Sequence, residues 1–210
     1  MPSAHIAPQA AKRALHDAHD IGKESGSSPI FPFVAVSVDA DLGFQAYGRS
    51  QYCVGWSYTT EPITATHDNT VLLGWDEAKD LGMAVGKTSA AKDATVWIEV
   101  TDGRLLVAYG EEPIADLPGI EPEDGDIEGV NEDLAIINQA QPEPRQFLAL
   151  TSEVVKRFTK VRGKSPILDF YLTSLGNTVL VKVGDTFMGA FEAVDRDRVE
   201  EDADLKLFNL

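Results

Sequence analysis

One order of elements recurs along this chain, and that recurrence restricts its fold more than any single residue does. "NTVLLGW" reads as a strand, and "DEAKDLGMAVGK" as a helix with Ala78, Leu81, Ala84 and Val85 on one side. "ATVWIEVTDGRLLVAYG" follows as a hairpin turning at Asp102-Gly103. The same grammar returns near the end. "QFLAL" is a strand, and "SEVVKRFTKVR" is a helix capped by Thr151 or Ser152 and stopped by Gly163. "ILDFYLT", "TVLVKV" and "TFMGAFEAV" are then strands. At the start, "QAAKRALHDAHDIGK" has a helical period, with Ala11, Ala14, Leu15, Ala18 and Ile21 on one face. "GSSP" is a loop, and Val34, Val36 and Val38 alternate ahead of Phe44, Ala46 and "QYCVGWSY". No opening strand is evident there, and residues 1–9 read as a loose lead-in. Strand–helix–strands thus occurs about three times, as a repeat of topology and not of letters. The expectation is an α+β fold of repeated strand-helix-three-strand units, with helices on one face of antiparallel sheets.

This grammar divides the chain. Residues 1–118 form one domain, and 119–145 an acidic, proline-punctuated linker with a short helix near Asn131–Asn138. A half-domain spans 146–195, and 196–210 is an acidic tail with an apolar C-terminal peptide, "DLKLFNL". With 43% hydrophobic residues, the chain can bury a real core. No apolar run approaches the roughly 20 residues of a membrane span, and no basic-then-apolar leader opens the sequence, so no membrane partner is expected. The single cysteine, Cys53, excludes an internal disulfide, reads as a core residue, and suits a cytoplasmic protein.

A formal charge of −16 argues against nonspecific contact with DNA unless the cations are gathered in one place. The helical period gathers them. At about 100° per residue, Lys156, Arg157 and Lys160 share one arc of the third helix, opposite Val154, Val155, Phe158 and Val161. Lys12, Arg13, His16, His19 and Lys23 share a face of the first helix, diluted by Asp20. Basic helix faces inside an acidic chain mean segregated charge.

Two motifs invite other readings and fail. "GMAVGKTS" (82–89) is one residue too short for a phosphate-binding loop, and it ends a helix where the real loop would begin one. "HDAHD" sets His16 and His19 one turn apart, without a third ligand at suitable spacing, so no metal is expected. No Ser/His/Asp set or paired-carboxylate site stands out. The chain is expected to be no enzyme and to need no cofactor.

The stretches "LALTSEVVKRFTKVRG" and "TVLVKVGDTFMGAFEAV" resemble the last helix and closing hairpin of the bacterial sliding clamp family, the beta subunit of DNA polymerase III. "FQAYGRSQYCVGWSY" and "TVLLGWDEAKDLGMAVG" with "VWIEVTDGRLLVAYG" are similar to its other strand pairs and half-domains. The resemblance implies a DNA clamp fold, with strands outside, helices inside, and basic helices around double-stranded DNA. It makes Lys12, Arg13, Lys23, Lys156, Arg157 and Lys160 the DNA-facing residues, binding phosphates without reading bases. It also implies a DNA polymerase or clamp loader as partner, and a homo-oligomer.

There are departures. The family chain has three domains of two units each, whereas this chain has about three units, so a six-domain ring would need about four copies with half-domains completed across subunits. "EAVD" stands where the family chain normally closes. The tail segment Asp204-Leu205-Lys206-Leu207-Phe208 also looks like the pentapeptide by which other proteins dock on bacterial clamps, with Asp204 where glutamine is usual. Leu205, Leu207 and Phe208 would fill an apolar pocket, and the chain would then be a regulator or inhibitor of replication that binds a bacterial sliding clamp. An acidic scaffold for a basic partner is the third reading.

Overall fold

The first two units interlock by exchanging their opening strands. Unit one is β1 (Ser3–Ile6), α1 (Pro8–Gly22), β2 (Phe33–Asp39), β3 (Gly43–Arg49) and β4 (Cys53–Tyr58). Unit two is β5 (Thr70–Gly74), α2 (Trp75–Lys87), β6 (Val96–Thr101), β7 (Arg104–Tyr109) and β8 (Glu112–Pro118). β1 pairs antiparallel with β6 of unit two, and β5 with β2 of unit one. The structure, a computed structural model, describes residues 1–23, 31–50, 53–88, 94–140, 150, 152–161, 168–175 and 177–193. β1 corrects the expectation of a loose lead-in. It has four residues, of which only Ala4 and Ile6 point inward, and Pro8 then begins α1, so the strand is too short to show a period.

α3 (Asp126–Gln139) follows, and unit three consists of α4 (Ser152–Phe158), β9 (Leu168–Leu172), β10 (Thr178–Val183) and β11 (Phe187–Glu192). β11 pairs with β4, which makes a seven-stranded sheet of order β5-β2-β3-β4-β11-β10-β9 beside a four-stranded sheet of order β1-β6-β7-β8. The third unit therefore neighbours the first, although the second precedes it in the chain. The connector returns across the sheet to reach that place. Ile120 bridges Leu72 of β5, and α3 then packs on Phe33, Ala35, Tyr47, Trp56, Leu180 and Ala190.

That path corrects one expectation and adds to another. α3 is longer than Asn131–Asn138; the unit helices α1, α2 and α4 share one face as expected, and the connector helix α3 lies on the other. Strand alternation decides this. Val34, Val36, Val38, Phe44 and Ala46 point into the core that α1 and α2 cover, and Val179, Val181, Phe187 and Phe191 pack with Val154 and Phe158 of α4. The intervening residues face α3, so β2 and β3 are buried on both sides. Polar contacts pin α3 in place. The Tyr47 hydroxyl donates to Asp133, Arg49 Nη1 lies 3.2 Å from Asp133 Oδ2, and the Arg49 guanidinium stacks 4.2 Å above the centre of the Phe31 ring. The Asn131 side chain accepts from the Ala65 N–H at 2.9 Å and donates to its carbonyl at 2.8 Å.

The Asp102-Gly103 turn has both residues at positive φ, 49° and 70°, as a two-residue hairpin of this hand requires. No described helix is long and apolar enough to cross a membrane.

Candidate nucleic-acid interface

α1, α2 and α4 cover the same side of the two sheets, and the cations of interest sit on them. α1 is seated by small residues, since Ala11, Ala14 and Ala18 are fully buried with Leu15 and Ile21. It lies so close to the sheet that a Cβ on Gly48 would come within 2.0 Å of the Ala18 carbonyl oxygen. α2 packs alongside it through Gly82 and Gly86, where a Cβ would meet the His16 ring at 2.7 Å and the Lys12 side chain at 2.5 Å. "GMAVGK" is thus part of α2, and its glycines let two helices approach.

The stem of Lys12 runs over Gly86 and its ammonium lies there too, with Cε and Nζ each 3.2 Å from where a Cβ on that glycine would be. Arg13 is half-buried and points toward unit three, with Nη1 3.4 Å from Thr186 Oγ1. Gln9, Lys12, Arg13, His16 and Asp17 line a shallow recess of about 220 Å³. Lys23 is exposed and lies 3.7 Å from Asp76, a solvent-screened pair that leaves its charge available. Lys156 and Lys160 are both exposed.

Two residues assigned to the basic faces are elsewhere. Arg157 is only 5% exposed, and its Nη1 donates to the carbonyls of Ile21 and Lys23 at 2.9 and 3.0 Å. It caps the C-terminus of α1 and ties unit three to unit one, so its cation serves the fold. His19 is buried beside Asp20, 3.1 Å from its carboxylate. His16 lies half-buried between α1 and α2, and burial holds its pKa below the ordinary value of 6.5, so it adds little charge at neutral pH.

Sequence reasoning missed Lys79 and Lys87, exposed on α2. The repeat carried the signal, because α2 is the counterpart of α1 and its wet side belongs to the same surface. That side also holds the exposed acids Asp76, Glu77 and Asp80, which make it more mixed than α1. Away from these helices the described cations are few. Arg49 is paired beneath α3, Arg104 lies 2.8 Å from Asp116, and Lys182 sits opposite Asp169 in the ladder. Exposed acids such as Glu111, Glu112, Glu121, Glu123 and Asp124 crowd the β7–β8 turn and the approach to α3. Among the described residues, no group of three His, Cys, Asp or Glu side chains is placed to hold a metal ion. Leu205, Leu207 and Phe208 lie outside the described residues.

This architecture of interlocked units, exchanged opening strands and helices on one side matches solved structures across nearly the whole chain. The DNA polymerase III beta subunit of Thermotoga maritima superposes with a TM-score of 0.61 at 10% identity, covering 95% of this chain and 67% of that one. The chain has the sliding-clamp fold. The beta chain of Streptococcus pneumoniae gives a TM-score of 0.60 at 13% identity, with 95% and 68% covered. The DNA polymerase sliding clamp of Bacillus subtilis gives 0.60 at 14%, with 92% and 65% covered. The chain thus spans about two thirds of the length of each sliding clamp it matches. No protein-family model matches its sequence, and no curated protein does.

Proposed function

We propose that this protein is a sliding-clamp-like accessory factor of DNA replication. It contacts double-stranded DNA without reading its sequence, through the lysine-bearing side of α1, α2 and α4. The observation that carries this reading is the separation of charge: Lys12, Arg13, Lys156 and Lys160 lie on the helix side of a chain of net charge −16. A lysine ammonium is a compact point charge that suits phosphate and carries no base code. The protein works in the cytoplasm as a homo-oligomer, beside a DNA polymerase or clamp loader, and its role is to hold and not to catalyse.

Retention on plasmid DNA tests encirclement. The reading predicts that the protein stays on nicked circles at salt concentrations that abolish simple electrostatic binding, and leaves when the circles are cut. Equal behaviour on circles and linear DNA would reduce the proposal to contact without encirclement, and no retention on either would remove it.

The pentapeptide-like Asp204–Phe208 favours a second reading, in which the protein regulates a bacterial clamp by occupying its peptide pocket. Phe208→Ala would then abolish binding to that clamp and leave the fold intact. Absence of clamp binding by the intact chain would dispose of it.

A further inference from the structure

The helix side has one place where its charges converge instead of spreading. Gln9, Lys12, Arg13, His16 and Asp17 follow i, i+3, i+4 spacing, which stacks them along one stripe of α1. Together they line the recess of about 220 Å³, room for an oxyanion with several waters. Lys12 and Arg13 therefore border the same space.

Each of these cations is positioned by a neighbour that does not neutralise it. The Lys12 stem lies over Gly86 of α2, with Cδ 2.5 Å from the place a Cβ there would take, so any larger residue at 86 would displace it. Arg13 is held from unit three, where Thr186 in the turn between β10 and β11 offers Oγ1 3.4 Å from Nη1. A hydroxyl orients a guanidinium and leaves its charge and most of its donors to a further acceptor. Neither Lys12 nor Arg13 forms an ion pair among the described residues. Asp17 is the acid at the recess. It is 2% exposed, and its Oδ2 accepts from Ser57 Oγ at 3.3 Å.

We infer that this recess is a seat for one phosphate monoester, the group found at a phosphorylated strand end and, as its parent, in inorganic phosphate. The Arg13 fork suits two of its oxygens and the Lys12 ammonium a third. A monoester carries about −1.5 to −2 charges near neutral pH, whereas each diester of a continuous backbone carries one. Two cations at one point match the former, and separate exposed lysines such as Lys156 and Lys160 suffice for the latter. The inference deepens the proposed DNA contact and rests on that reading for its setting. Its chemistry is measurable without DNA, so the two fail separately.

NMR titration of the full chain, read at the His16 ring, tests the seat with inorganic phosphate alone. The expected result is a saturable shift that chloride at equal ionic strength does not produce. Lys12→Gln and Arg13→Gln should each weaken phosphate roughly tenfold, and Arg104→Gln on β7 should leave it unchanged. Thr186→Val should weaken it a few-fold, and Thr186→Ser should restore it, which a merely structural role for the turn would not require. A second arm compares nicked duplexes with a 5′-phosphate or a 5′-hydroxyl at the nick. Preference for the 5′-phosphate that Arg13→Gln abolishes assigns the seat to strand ends. Equal affinity with the phosphate shift intact assigns it to free phosphate. Absence of both the shift and the preference in folded protein, or a shift that Lys12→Gln and Arg13→Gln leave unchanged, would overturn the inference. Duplex binding that survives that outcome leaves the proposed function standing, whereas phosphate seating without duplex binding removes that function and keeps the seat.

Discussion

The seven-stranded sheet carries charge on both of its faces, and the two faces use it in opposite ways. Beneath α3, Arg49, Asp133 and Tyr47 are bonded to one another in a buried cluster. On the helix side, Lys12, Lys156 and Lys160 make no ion pair among the described residues, and the last two are exposed. Arg157 belongs to the helix side by position and to the buried group by use. The difference follows from side-chain chemistry. A planar guanidinium can satisfy several acceptors in a confined site, whereas an ammonium on a flexible stem prefers water or a mobile anion. Where a positive charge is held therefore says more about function than the count of charges does.

The comparison predicts that the α3 face governs stability and the helix face governs DNA contact. The largest effect is expected from Asp133→Ala, which removes the shared acceptor of Tyr47 and Arg49 in a buried place. It should lower unfolding free energy by about 3 kcal/mol in denaturant titration, with DNA affinity of the folded protein unchanged. A pair of neighbours gives the next contrast. Arg157→Ala should lower stability by about 2 kcal/mol, because two carbonyls at the end of α1 lose their donor. Lys156→Ala should change stability by less than about 0.5 kcal/mol. It should nevertheless make the salt dependence of DNA binding shallower by about 0.9 in the log–log slope. Equal stability effects at 156 and 157 would break the distinction.

Two smaller effects depend on pH. Burial raises the pKa of Asp133 above its ordinary 3.8, against the Tyr47 hydrogen bond and the Arg49 charge, which lower it. The folded state therefore holds the proton longer than the unfolded chain does. Stability should fall as pH rises from the ordinary carboxylate value to the raised one and then level off, and Asp133→Asn should abolish that descent. His16 shifts the other way. With its folded pKa below 6.5, its contribution to stability is complete above that pH and declines as pH falls. DNA affinity should rise a few-fold over the same acid range, as His16 gains charge between Lys12 and Arg13. His16→Gln should remove that rise.

Much of this was legible in the sequence. The alternation of Val34, Val36 and Val38, the Asp102-Gly103 turn and the helix-then-strands order of the three units all have short-range signals, and each is where the pattern places it, while the third unit's expected opening strand at 146–150 lies outside the described residues except for Leu150. The misreadings have physical reasons. The charge pattern gives α4 a basic arc that includes Arg157, but 154, 157, 158 and 161 follow the spacing of a buried stripe, which puts the guanidinium inside it. His19 likewise follows Ala11 and Leu15 on the side that meets the sheet. α1 has little wet surface left, since the sheet takes one side and α2 another. The position of α3 was not legible, because nothing local in an acidic helix says which face of a distant sheet it will cover.

The central claim is that Lys12, Arg13, Lys156 and Lys160 form one phosphate-contacting surface on the helix side. Duplex binding measured by fluorescence anisotropy against salt concentration tests it most directly, comparing the unsubstituted protein with one carrying Lys12→Gln, Arg13→Gln, Lys156→Gln and Lys160→Gln. The account predicts a steep loss of affinity with salt for the former. For the latter it predicts a slope shallower by about 0.9 for each contact removed, with stability within about 0.5 kcal/mol. An unchanged slope in a folded variant would contradict it.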